Sequence, residues 1–182
     1  MLAAGCCAIL ATSNVEPPTI RDTRQHELSD TDAVVVHVRL NQPAREQAGA
    51  WLIRISARIE GGGEVTIVPE GGPLRRAEEQ TIGRPRVDSS TAGSADDDAG
   101  AAGGLAPGPV QFEVRELRPD LAACPEHREC VATFTVARSE TATGTVSLTV
   151  ESSAHRPLEE GCMGSTAPEF TPGVKIEVIF DE

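Results

Sequence analysis

The sequence AWLIRISARIEGGGEVTIV, residues 50–68, contains the clearest structural signal in the chain. From Trp51 to Ile59, large apolar residues alternate with polar or smaller ones, which is the period of two typical of a β-strand with one buried face. Three glycines follow at residues 61–63, and the alternation resumes at Val65. Two alternating runs joined by a short glycine-rich turn predict a β-hairpin.

Shorter alternating runs recur along the rest of the chain, without a convincing helical period. They predict seven strands, near residues 34–40, 51–59, 65–68, 110–114, 132–136, 146–150 and 174–180. Seven short strands in a chain of this length predict an all-β fold, an antiparallel β-sandwich that resembles immunoglobulin and fibronectin III domains. The predicted core consists of Val36, Val38, Trp51, Ile53, Ile55, Val65, Ile67, Phe112, Val114, Phe134, Val136, Leu148, Val150, Ile176, Val178 and Phe180.

The chain of 182 residues is long enough for one ordinary domain with appendages. Residues 1–32 are predicted to precede the domain, and residues 12–32 are predicted to be a flexible tether, because Pro17, Pro18 and many polar residues leave little apolar surface to bury. Residues 33–182 are predicted to form the sandwich domain. Within it, residues 71–109 have a centre rich in Ser, Asp, Ala and Gly, which predicts a long disordered insert.

Composition narrows the range of partners. The chain has 28 acidic and 16 basic residues, and the resulting net charge of -12 repels a phosphate backbone. Aromatic residues amount to only 3%, which argues against stacking on bases or sugar rings. No apolar stretch approaches the roughly 20 residues that a membrane-spanning helix needs. We therefore expect a protein rather than nucleic acid as partner, and no transmembrane segment.

The N-terminal segment MLAAGCCAILA, residues 1–11, places a cysteine after small and apolar residues. Leu2-Ala3-Ala4-Gly5-Cys6 resembles the lipobox of bacterial lipoprotein precursors, although Ala3 stands where that motif usually has leucine. The resemblance implies that Cys6 becomes the lipidated first residue of the mature protein. A simple secretory signal is the alternative. Both interpretations predict a protein of the cell envelope, in the outer membrane or periplasm, or a secreted protein.

Three further cysteines, Cys124, Cys130 and Cys162, lie in the second half of the chain. In an oxidising compartment they favour a disulfide, and Cys124 with Cys130 is the preferred pair because they are close in the sequence. Cys162 is the alternative partner. The competing hypothesis is a zinc site, because Cys124-x-x-His127-x-x-Cys130 has close ligand spacing and Cys162 could supply a fourth ligand. Such a site needs reduced thiolates, which suits the cytosol.

The sequence has no recognisable catalytic pattern. It contains no Gly-x-Ser-x-Gly motif, and its serines are scattered through predicted turns. A hydrolase would need His37 or His155 in a concave pocket beside a nucleophile. Charges of both signs alternate on the predicted outer strand faces, as expected of a solvated surface or of a partner-binding face: Arg39, Arg54, Arg58, Glu113, Arg115, Glu116, Arg138, Glu151 and Glu177.

These observations predict a non-catalytic interaction module, an envelope-anchored or secreted β-sandwich without a cofactor. Its expected partner is a protein or another envelope component. Lys175 is the only lysine beside fifteen arginines, a bias typical of a GC-rich coding sequence, so the source is expected to be a GC-rich bacterium. The functional part of the prediction rests on fold analogy and on the lack of a catalytic pattern. A cytosolic zinc-stabilised β module and an envelope hydrolase are the alternatives.

Overall fold

The computed structural model describes residues 16–28, 33–60, 63–74, 80–84, 111–139, 144–161, 164–166 and 168–181. In these residues the secondary structure is almost entirely β. The strands are β1 (Thr19–Leu28), β2 (Ala33–Leu40), β3 (Ala50–Ile59), β4 (Gly63–Pro69), β5 (Gln80–Arg84), β6 (Gln111–Leu117), β7 (Cys130–Arg138), β8 (Val146–His155), β9 (Glu159–Gly161), β10 (Gly164–Thr166) and β11 (Ile176–Asp181). A short helix α1 (Gln42–Gln47) follows β2, and a 3₁₀ turn (Leu121–Ala123) precedes β7.

Two antiparallel sheets form a β-sandwich. Sheet A has the strand order β1-β8-β3-β6, and sheet B has the order β11-β2-β7-β4 with the short β5 at its edge. Strands β9 and β10 form a separate two-stranded hairpin. The predicted all-β sandwich is confirmed, and it contains more strands than the seven that the sequence predicts.

The core lies between the sheets, where alternation turns one side of each long strand inward. In β3, Trp51, Ile53 and Ile55 are buried while Arg54 and Arg58 are exposed. The ring nitrogen of Trp51 donates a buried hydrogen bond to Ser152 Oγ at 2.9 Å. The core prediction is confirmed for these residues: Val36, Val38, Trp51, Ile53, Ile55, Val65, Ile67, Phe134, Val136, Leu148, Val150, Ile176 and Val178.

The core prediction is wrong for strand β6. Val114 is 39% exposed, because Leu117 takes the inward position opposite the buried Ile53. Val114 lies three positions before Leu117 and therefore faces outward, opposite Ser56. Phe112 is two positions before Val114 in the same strand, but its side chain lies outside the part that the structure describes.

The prediction that two further residues, Arg115 and Arg138, lie on outer faces is also wrong. Arg115 pairs opposite the buried Ile55, and Arg138 pairs opposite the buried Val65, so both occupy inner-face positions. Both remain only half-buried, because β6 is an edge strand and Arg138 is the last residue of β7. These inner-face charges therefore lie at the margin of the core.

The predicted hairpin between the two clearest alternating runs is also wrong. β3 belongs to sheet A and β4 to sheet B, so the chain passes from one sheet to the other after Glu60. Gly63, the first residue of β4, has a φ of 125°, which favours glycine. Period-two alternation shows which residues of each strand are buried, but it does not show whether two successive strands share a sheet.

The predicted tether over residues 12–32 is wrong for Thr19–Leu28, which form β1. This strand pairs with β8 along its whole length, and Leu28 at its end is fully buried. The sandwich therefore begins before the predicted domain start at residue 33. Residues 1–15, which include the lipobox-like segment, lie outside the described part of the chain.

Polar residues of β1 close one edge of the sandwich against β11. Asp22 Oδ2 accepts a hydrogen bond from the backbone N–H of Val178 at 2.8 Å. The ring of His26 stacks on Phe180, with ring centres 4.9 Å apart. Phe180 is half-buried and packs against the core at this edge, instead of lying inside the core as predicted. The Asp22 carboxylate thus provides a hydrogen-bond partner for a backbone N–H group of β11, the edge strand of sheet B.

The predicted insert at residues 71–109 is interrupted by β5, which pairs with β4. The prediction is also wrong for residues 71–74, because Leu74 is buried in the core. Residues 75–79 and 85–109 lie outside the described residues.

One end of the sandwich is organised by Asn41, which caps helix α1. Its Oδ1 accepts hydrogen bonds from the backbone N–H groups of Ala44 at 3.1 Å and Lys175 at 3.0 Å. Its Nδ2 donates to the carbonyl of Gly173 at 2.7 Å. A single side chain therefore holds both the start of the helix and the segment that leads into β11.

Candidate functional site

Cys124 and Cys130 form a disulfide with their Cα atoms 5.3 Å apart, which confirms the preferred pairing. Both residues are buried, and the carbonyl of Cys124 lies 3.5 Å from Nη2 of Arg45 in α1. The bond closes a short loop at the helix end of the sandwich, and such a loop contributes roughly 2 kcal/mol to stability by restricting the unfolded chain. The alternative partner, Cys162, lies outside the described residues.

The disulfide uses two of the four ligands that the zinc hypothesis needs. The third, His127, is 82% exposed in its side chain and lies 3.4 Å from Glu46 of α1. The pKa of Glu46 is lowered, first by the hydrogen bond from Gln42 and then by the one from His127. His127 thus contacts the helix beside the disulfide loop, and no group of three metal-binding side chains occurs in the described part of the chain.

His37 and His155 lie on outer sheet faces and contact hydroxyl groups. On sheet B, His37 Nδ1 is 3.0 Å from Thr133 Oγ1, and its Nε2 is 3.0 Å from Asp181 Oδ2. On sheet A, His155 Nδ1 is 2.9 Å from Thr19 Oγ1. The hydrolase hypothesis requires one of these histidines in a concave pocket, and the depression described next is lined by neither.

The outer face of sheet A contains a depression of about 540 Å³. Its floor consists of short hydroxyl side chains on the central strands β8 and β3, namely Ser147, Thr149 and Ser56, which we call the floor hydroxyls. Gln25 and Glu27 of β1 line one side, and Arg58 of β3 lines the other. His26 and Leu148 complete the lining. Short side chains between longer ones thus make the sheet locally concave.

Strand register determines this arrangement. Glu27 pairs with Ser147, and Ser147 pairs with Arg58, so these three residues form one row across β1, β8 and β3. Neighbouring strands are about 4.8 Å apart, so the backbone positions of Glu27 and Arg58 are about 10 Å apart. The next row consists of Gln25, Thr149 and Ser56. Opposite charges therefore face each other across a floor of hydroxyl groups.

The floor hydroxyls make no hydrogen bond with any other residue in the described part of the chain, although all three residues are half-buried. The side chains of Gln25 and Glu27 likewise have no described partner. On sheet B, by contrast, Thr133 pairs with His37 and Thr135 donates to Glu70. Recessed polar groups that have no partner among the described residues are available to a ligand.

Ion pairs border the depression: Arg54–Glu116 at 3.0 Å, Arg21–Glu151 at 3.9 Å and Arg58–Glu60 at 3.0 Å. Exposed pairs of this kind contribute little to stability, about 0–1 kcal/mol each. Their consequence here is electrostatic, because they neutralise the charges around the depression. Among the lining residues, Glu27 carries a charge without an ionic partner in the described chain.

No protein-family model, curated protein or solved structure matches the chain. Within the described residues, no helix has both the length and the apolar character needed to cross a membrane. The function is therefore inferred from the depression and the disulfide.

Proposed function

We propose that this chain is a non-catalytic interaction module of the bacterial cell envelope, anchored through Cys6 or secreted, and that it binds a protein or another envelope component in the depression on sheet A. The observation that carries the proposal is the recessed set of floor hydroxyls, which have no hydrogen-bond partner in the part of the chain that the structure describes. They lie on the two central strands of sheet A, so their positions are held by backbone pairing on both sides. A surface built on rigid strands is formed before the partner arrives, which lowers the entropic cost of binding.

The Cys124–Cys130 disulfide supports the proposed location. Disulfides persist in oxidising compartments and are rare in the cytosol, where thiols are kept reduced. The architecture also fits, because sandwiches of the immunoglobulin and fibronectin III type are common in cell-surface domains. In this proposal, lipidation of Cys6 tethers the sandwich to the membrane.

Cross-linking from the depression tests the binding function. A photoreactive amino acid in place of Thr149 is expected to form a covalent adduct with another component in cells of the source bacterium. The matched control is the same substitution at Thr66, a half-buried threonine on the outer face of sheet B. Adducts resolved by electrophoresis and mass spectrometry should come from position 149 only. Adducts from position 66 alone would indicate that the partner binds to sheet B. Adducts from neither position would contradict the proposed function.

Lipid labelling tests the anchor. Cys6→Ser is expected to abolish incorporation of labelled palmitate and to move the protein from the membrane fraction to the soluble fraction, because the acyl chains are the anchor. The gene is expressed with its natural upstream codons for this measurement. Cys7→Ser is the control and should keep both properties. An unlabelled wild-type protein outside the cytoplasm would indicate secretion, and one in the cytosol would overturn the proposed location.

A further inference from the structure

We infer that the depression on sheet A binds an extended segment of a partner protein, and that a lysine or arginine of this segment pairs with Glu27. The inference rests on the proposed function, because it assigns partner chemistry to the same site.

The charges of the lining favour a basic partner. Arg58 is already paired with Glu60 at 3.0 Å, whereas the carboxylate of Glu27 has no partner in the described chain. A cationic group can pair with Glu27 and leave the Arg58–Glu60 contact intact. An anionic group would have to compete with Glu60 for Arg58 and would be repelled by Glu27. The net charge of -12 also accelerates the approach of a basic partner.

The polar groups of the floor suit a polypeptide backbone. Each hydroxyl can both donate and accept a hydrogen bond, and the side-chain amide of Gln25 can do the same. An extended segment presents N–H and C=O groups along both of its edges, and each of them loses a hydrogen bond to water when it is covered. The floor hydroxyls and Gln25 can replace those bonds, in the two adjacent rows that the strand register creates.

A saccharide offers hydroxyl groups of its own, but among the described residues of the lining there is no free ring for it to stack on. His26 is the ring-bearing side chain among the lining residues that the structure describes, and its ring already stacks on Phe180 with an interplanar angle of 20°. Aromatic platforms supply much of the contact area where a flat apolar face is bound. The observed lining therefore favours a peptide over a sugar.

Peptide titration of the full-length protein tests this inference. The probes are a short Gly/Ser peptide with one central lysine and the same peptide with a central glutamate. In ¹⁵N NMR spectra, the lysine peptide is expected to shift the amide resonances of Ser56, Ser147 and Thr149, and the glutamate peptide is expected to leave them unchanged. Glu27→Gln should weaken the lysine peptide by about fivefold, the effect of one exposed ion pair. Glu64→Gln removes the same charge from the outer face of sheet B and should leave the affinity unchanged.

Two results would overturn the inference: a lysine peptide that leaves these resonances unshifted, or one that binds Glu27→Gln as tightly as the wild type. Shifts produced by glucose or N-acetylglucosamine, but not by the lysine peptide, would indicate that the ligand is a saccharide and not a peptide. In that case the depression still binds a ligand, so the proposed function stands. The proposed function fails separately, when photo-cross-linking yields no adduct.

Discussion

Trp51→Ala is expected to lower the free energy of unfolding by about 3–5 kcal/mol. Trp51 is 3% exposed and lies on β3, which is flanked on both sides by other strands of sheet A. Alanine removes most of the side chain and leaves a cavity that a close-packed core fills poorly. Since single domains are usually stable by about 5–15 kcal/mol, this loss brings a marginal domain close to unfolding. Urea denaturation followed by circular dichroism measures it.

Part of this loss comes from the hydrogen bond between Trp51 and Ser152. Ser152 is fully buried and accepts from the ring nitrogen of Trp51 at 2.9 Å, so removal of the donor leaves a buried hydroxyl unsatisfied. Trp51→Phe keeps much of the apolar volume and should therefore cost less than Trp51→Ala. If Ser152→Ala is added, the loss should be smaller than the sum of the two single losses, because the double variant leaves neither partner unpaired.

Leu52→Ala is the matched control for Trp51→Ala. Leu52 is the next residue of β3 and faces outward, so its truncation should cost much less. Trp51 is the only tryptophan, and its fluorescence therefore reports on this site alone. Emission typical of a solvent-exposed indole in the folded protein would contradict the burial of Trp51, as would equal losses at positions 51 and 52.

The strands that were predicted correctly are those in which apolar and polar residues alternate locally, so that the pattern specifies the buried face. Strands β2 and β3 alternate strictly, and a slip of one residue would bury Arg39 or Arg54 in the core, so the sequence alone specifies their inner faces. The Cys124–Cys130 pair was also predictable, because the two cysteines are close in the sequence. Helix α1 was missed, although Asn41 and Pro43 are typical of a helix start.

Strand β1 was missed because the three inward residues between Ile20 and Leu28 are polar and the partners of Asp22 and His26 are distant in the sequence. Asp22 bonds to the backbone of Val178, and His26 stacks on Phe180, more than 150 positions later. A local pattern shows only that these side chains are polar, which is equally typical of a tether. The tertiary contact that makes a polar inward face favourable at this edge does not appear in the local pattern.

The depression was not predictable for a similar reason. It depends on the register of three strands, which brings Ser56, Ser147 and Glu27 into adjacent rows although they are far apart in the sequence. One of these strands, β1, was itself missed. The sequence did contain a partial signal, because the outward positions of β8 and β3 carry Ser and Thr where longer charged residues are common.

Removal of β1 is expected to have the other large effect on stability. A chain that begins at residue 33 lacks Leu28, which is fully buried, and lacks the whole strand that pairs with β8. The edge of β8 would then be exposed, and the side chains that close the sandwich against β11 would be absent. This chain should fail to unfold cooperatively on heating and should aggregate. A chain that begins at Glu16 keeps every described residue and should retain the wild-type melting temperature.

Point variants distinguish a structural strand from a tether when the shortened chain cannot be purified. Leu28→Ala should lower the free energy of unfolding by about 2–5 kcal/mol, because Leu28 is fully buried in the core. Thr23→Ala, at an exposed position of the same strand, should change it by less than about 0.5 kcal/mol. If the chain from residue 33 melts like the full-length protein and Leu28→Ala has no effect, β1 contributes nothing to the fold and residues 16–28 are a tether.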